Sequence, residues 1–286
     1  MTTKDYIVVD AVQTAGCISY FRVASETHID TLTAAWKKHG LDLKSLPTTP
    51  DDGVALGRAV KATSEKRRLV RPLERRGAWA VVEETVEPGK TPTYRTLVTV
   101  RGGAGPAIDC VAASTDEYTA LVGAIRNGYD RARHVLAHVD ISAWLITEIR
   151  ARGGISLRES GGVYFVPRDK AEEWQKVAAA LDEAGSSVFT IPAMKTAEAV
   201  AAITDAITAE AAAESAKIEA DMEKTGDEAL GARALKTRVE ALEAMLTKVG
   251  TYEELIGKQL AVRERVTSLR ANVSAAILTV MNEEAA

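Results

Sequence analysis

The chain has 286 residues, 46% of them hydrophobic, and a formal net charge of -4. That length and apolar content suffice for two domains, and the mild acidity gives no overall electrostatic argument for nucleic acid or a membrane surface. Cys17 and Cys110, the only two cysteines, exclude a disulfide framework and a thiolate zinc site, and read as buried reduced thiols.

The opening Met-Thr-Thr-Lys-Asp lacks the charged and apolar regions of a signal peptide. No apolar run approaches the roughly 18–20 residues of a membrane span, so the expectation is a cytoplasmic protein without a membrane partner. β-branched runs at Tyr6–Val9 and Ile18–Val23 predict strands, and Glu26–His39 predicts a helix capped by Ser25. Pro47 and Pro50 bracket a loop, and a second helix is expected over 51–63. Arg68–Leu73, Trp79–Val86, Tyr94–Val100 and Ile108–Ala112 then read as strands joined by tight turns, an antiparallel meander. Residues 1–113 are therefore expected to form an α+β domain.

A helix is expected from Thr115 to about Val139, and another from about Asp140 through Ile149. Gly154–Pro167 predicts two short strands around Ser160-Gly161-Gly162, where glycine meets the positive φ of a hairpin turn. A helix over 169–184 and a strand at Ser187–Ile191 complete a ββαβ unit, so the middle region spans 114–192. The last region, 193–286, is alanine-rich and heptad-patterned. Leu235, Val239, Leu242, Leu246 and Val249, then Leu255, Val262, Val266, Leu269, Val273 and Val280, lay an apolar seam that only a partner helix can cover. Gly250 is expected to reverse the chain before a last helix over 252–282, giving an antiparallel hairpin or three-helix arm, coiled-coil-like and projecting from the body. Pairing within or between chains looks the same at this level. Residues 195–286 hold 16 acids and 11 bases, a balance of -5, against +1 for the remainder.

The strongest charge feature is Arg58, Lys61, Lys66, Arg67, Arg68, Arg71, Arg75 and Arg76, with only Glu65 and Glu74 among them, a local balance of +6. Such a run fits phosphate recognition by counterion release. It fits better a solvated connection whose charges meet Glu83, Glu84 and Glu87 across the meander, or the acidic arm. The helix, hairpin, helix order from Ile141 to Ala184 also reads as a winged helix, with Arg150, Arg152, Arg158 and Arg168 near the wing.

Asp130, His134 and His138 fall four residues apart, one face of a continuous helix where a metal could sit, although the HExxH pattern is missing. Gly102-Gly103-Ala104-Gly105-Pro106 lacks the lysine and hydroxyl of a P-loop, and no helix follows Ser160 directly as in a nucleophile elbow. In the adjacent pairs Glu83-Glu84 and Glu172-Glu173, at most one carboxylate can face a common cleft. No spacing argues for a catalytic triad, and no cofactor is called for.

The segment Gly154-Ile-Ser-Leu-Arg-Glu-Ser-Gly-Gly-Val-Tyr-Phe-Val-Pro167, followed by a helix and a C-terminal helical region, resembles a family of uncharacterised proteins of tailed phages, actinobacteria and archaea. The resemblance implies a phage or mobile-element accessory protein and carries no activity. The leading expectation is an interaction or assembly protein whose helical arm self-associates or docks a protein partner, a homo-oligomer being one form. The alternatives are a nucleic-acid-binding protein using the Arg58–Arg76 cluster and a metal-dependent hydrolase around Asp130, His134 and His138.

Overall fold

β1 (Thr14–Arg22) lies at the centre of a four-stranded sheet in the computed structural model, between β9 (Tyr164–Pro167) and β10 (Ser187–Met194), with β8 (Ile155–Ser156) beyond β9. The structure describes residues 14–74, 77–102, 107–110, 115–224 and 230–284, with side chains described except at 107–110, 115–118 and 283–284. The strand expected at Tyr6–Val9 lies outside them, as does the glycine run from 103 to 106. The fold is α+β with antiparallel sheets.

All pairings in this sheet are antiparallel. α4 (His138–Ala151) precedes β8, and α5 (Arg168–Glu183) joins β9 to β10. The order β1, α4, β8, β9, α5, β10 and the sheet order β10-β1-β9-β8 are those of a ferredoxin-like, split βαβ arrangement. The expected ββαβ unit is present but incomplete by itself, because β1 is inserted between β9 and β10. Gly16 permits the close packing of β1 on β9, since a Cβ there would lie 2.1 Å from the Val166 carbonyl oxygen.

Two compact units result, and neither is a continuous stretch of chain. The first comprises residues 1–22, 145–179 and 187–286; the second comprises 23–144 and 180–186. This partition differs from the sequential one at 113 and 192, because β1 pairs with strands more than 140 residues away.

In the first unit, α6 (Ala197–Met222), α7 (Ala232–Ile256) and α8 (Val262–Glu284) share one core with Ile155 and Phe165 of the sheet. The helices thus pack on the sheet, where the sequence suggested a projecting arm. Gly250 does not reverse the chain; it sits inside α7. The reversal falls at Gly257, φ 72°, whose N–H and that of Lys258 both donate to the Glu253 carbonyl. This left-handed C-terminal stop suits glycine.

In the second unit, the meander β3 (Arg68–Pro72), β4 (Ala78–Thr85), β5 (Thr93–Arg101) and β6 (Ala107–Cys110) packs against α2 (Asp52–Lys61) and α3 (Thr115–His134). Val81, Val98, Leu56 and Ile125 are buried between them. Two expectations fail here. Glu26–His28 is strand β2, paired with β7 (Val135–Ala137), so α1 (Ile29–Lys38) starts at Ile29 and is preceded by His28 rather than capped by Ser25. β7 also divides what read as one helix to Val139. Trp36 and Trp144 meet at 5.0 Å, and their indole N–H groups donate to the Asp42 and Ser45 carbonyls.

Candidate interaction surfaces

The heptad seam is closed within the chain. Leu235, Leu242 and Val249 of α7 and Val262, Val266, Leu269 and Val273 of α8 are buried; Val239, Leu246, Leu255 and Val280 are half-buried against the same core. Ile203, Ile207 and Ile218 of α6 supply the third side. Each buried Val, Leu or Ile of this kind contributes roughly 1.5–3 kcal/mol. Ion pairs staple the edges: Arg265 to Glu219 at 2.6 Å, Arg238 to Asp221 at 2.6 Å, and Arg263 to Glu253 at 2.5 Å. Acids of this region are thus partly neutralised by its own arginines.

The basic run is dispersed by the fold. Arg58 pairs with Asp140 at 2.7 Å, and Arg68 with Glu65 at 3.1 Å, opposite Glu83 on β4. Arg71 lies beside the Tyr94 hydroxyl, which donates to Glu84. Strand alternation directs Arg68 and Arg71 to opposite faces of β3. Lys61, Lys66 and Arg67 remain exposed, without a counter-ion among the described residues. Arg75 and Arg76 lie outside the described residues.

The winged-helix arginines separate in the same way. Arg152 is buried and held by Glu148 at 2.7 Å and Glu173 at 2.9 Å, so it cannot reach a phosphate backbone. Arg158 is exposed and donates to the Ser160 hydroxyl at 2.8 Å. The metal candidates do not share a helix face: Asp130 and His134 end α3, β7 intervenes, and His138 opens α4. No group of three metal-ligating side chains converges among the described residues. Cys17 is buried, and burial pushes its thiol up to about 11; the Cys110 side chain lies outside the described ones.

A cleft of about 1490 Å3 opens along α6 and α7 in the first unit, bounded at the other side by the end of α4 and the β8–β9 hairpin. Ala202, Ala206, Ala209 and Ala213 line it from α6, and Ala241 and Ala244 from α7. The α6 alanines step by four, three and four, a second stripe turned away from Ile203 and Ile207. Lys248 fixes the floor by donating to Glu210 at 2.6 Å and to the Gly154 carbonyl at 2.9 Å. Tyr252 donates to the Gly153 carbonyl at 2.9 Å and packs on Phe165. Burial, then Glu210 and Asp169, drive that phenol far above its ordinary range. Arg150, Arg158 and Lys170 stand on one wall; Asp205, Glu214 and Lys217 stand on α6.

The sheet carries a further surface that the sequence reading missed. Tyr20 and Phe189 are directly paired on β1 and β10, stacked at 4.9 Å, and 40% and 41% exposed; Ile191, paired with Ile18, is 50% exposed. Alternating Ile18, Tyr20 and Arg22 was the available signal, but a strand pattern alone does not tell which face is left open.

A family model matches residues 18–283, nearly the whole chain. The chain belongs to DUF6744, a family of unknown function. No curated protein and no solved structure matches it. The DUF6744 region takes in the sheet, the cleft and the three-helix core alike. Among its described residues no helix is long and apolar enough to cross a membrane.

Proposed function

We propose that the protein is a non-enzymatic interaction protein, a phage or mobile-element accessory acting in the host cytoplasm, which docks a helix of a protein partner in the α6–α7 cleft. The observation that carries this reading is the cleft itself, with alanines on two facing helices and a seam already satisfied within the chain. Small residues let a third backbone approach closely, and a helix lying in a groove is a common recognition mode. From Ala202 to Lys217 the groove runs roughly 22 Å at 1.5 Å per residue, enough for about four turns of a partner helix. Charges of both signs on the walls favour a defined register over simple anion binding.

A photo-crosslinking residue in place of Ala206 or Ala244, used in cells, is expected to trap a discrete protein adduct. The adduct should vanish when Ala209→Trp fills the groove, and should not form from Ala275 on the outer side of α8. A second copy of the chain is one partner this would reveal. No adduct, or the same adducts from Ala275, would count against the reading.

Nucleic-acid binding through the second unit is a second reading, favoured by the exposed Lys61, Lys66 and Arg67. Three phosphate contacts give a salt slope of about -2.7, a loss of roughly 40-fold in affinity between 50 and 200 mM salt. Changing all three to Glu should abolish binding to an oligonucleotide, and salt-insensitive binding would exclude this mode.

A further inference from the structure

We infer that the open face of the first unit's sheet, centred on Tyr20 and Phe189, binds single-stranded nucleic acid by stacking. The pairs Arg22 with Ser187, Tyr20 with Phe189, and Ile18 with Ile191 stand side by side across β1 and β10. Cross-strand partners share one face of a sheet, so these six side chains form a ladder. α5 packs on the opposite face, where Trp174 donates to the Ser19 hydroxyl. The C-terminal helices cover the ladder's own face only in part: Ile18 and its β9 partner Phe165 belong to their core, whereas Tyr20, Phe189 and Ile191 are open.

The charge and chemistry of the ladder select the ligand. Arg22 is exposed and has no counter-ion among the described residues. It stands two positions from Tyr20, roughly 7 Å along the strand. A guanidinium beside aromatic rings suits a planar base carrying a phosphate, because the rings offer π-faces and the cation neutralises the backbone. Duplex DNA keeps its bases stacked inside and cannot offer those faces, so the surface favours single strands. Four-stranded antiparallel sheets with exposed aromatics are used in this way for single-stranded RNA. The inference stands apart from the cleft and from Lys61, Lys66 and Arg67.

The test is fluorescence anisotropy of the full chain with a labelled oligo-dT and with a duplex of equal length, at low salt. Tyr20→Ala with Phe189→Ala is expected to weaken oligo-dT binding about 10-fold or more. Tyr20→Phe should retain binding, and Arg22→Gln should reduce the salt slope by about one. Circular dichroism checks that each variant is folded. Ultraviolet crosslinking of the unaltered chain to an iodouracil oligonucleotide keeps the test independent of the variants, with adducts expected in peptides containing Tyr20 or Phe189. Absence of binding, equal binding of the duplex, or adducts confined to the 61–67 segment would overturn the inference.

Discussion

Glu253 shows how much of the helical region rests on one side chain. Its carboxylate accepts from Arg263 Nε at 2.7 Å and from the Leu260 N–H at 2.8 Å, closing the loop between α7 and α8. The Arg263 hydrogen bond is the main cause holding Glu253 below the ordinary carboxylate range, against the opposing effect of burial. Its folded pKa is therefore lower than its unfolded one, so its stabilisation is full above pH 4.5 and fades as the pH falls through the depressed value. Glu253→Gln should cost about 1–2 kcal/mol near neutrality. In thermal melts the variant and the parent should converge at strongly acid pH; an unchanged gap there would refute the assignment. Two glycines, Gly250 inside α7 and Gly257 at its end, make a paired test. Gly257→Ala forces a Cβ into the left-handed region and should cost about 1 kcal/mol. Gly250→Ala lies within α7, where helix propensity favours alanine, but its Cβ would lie 2.9 Å from Arg263 Nη2, so the guanidinium paired with Glu253 would have to shift. No loss on Gly257→Ala would contradict the left-handed turn at Gly257.

At the scale of elements, the buried seam defines the strongest expectation. Val266 is fully buried, and an aspartate there would be an unpaired charge among Val, Leu and Ile. Val266→Asp should destabilise the first unit by at least about 3 kcal/mol and lower helicity at every protein concentration. Unchanged helicity would show that the seam is not a core. The heptad steps from Leu235 to Val280 were legible because helix packing repeats at a short, local period. The meander was legible for the same reason, since each turn joins neighbours in sequence. β2 and β7 were not, because three-residue strands more than 100 residues apart have no local signature. The likeness of the arginines was also misleading: Arg152 and Arg158 look alike in sequence, yet one is buried between two glutamates and the other is exposed. Of the basic run, Arg58 and Arg68 are paired, Arg71 has only the Tyr94 hydroxyl beside it, and Lys61, Lys66 and Arg67 stand exposed without a counter-ion among the described residues. The Tyr20 and Phe189 ladder depends on pairing across 169 residues and could not be read from either strand alone.

At the scale of the molecule, the chain leaves the first unit after β1, builds the second, and returns through α4 to complete the sheet. β1 contributes to the core by pairing with β9 and β10, so stability of the first unit requires segments from both ends of the sequence. The helical seam is satisfied within one chain, and the cleft and part of the sheet face stay open. Helical melting followed by circular dichroism over a roughly hundredfold range of protein concentration tests it most directly. A midpoint independent of concentration is the expected result. A midpoint that rises with concentration would show that the seam is completed by a second chain, and would contradict the account.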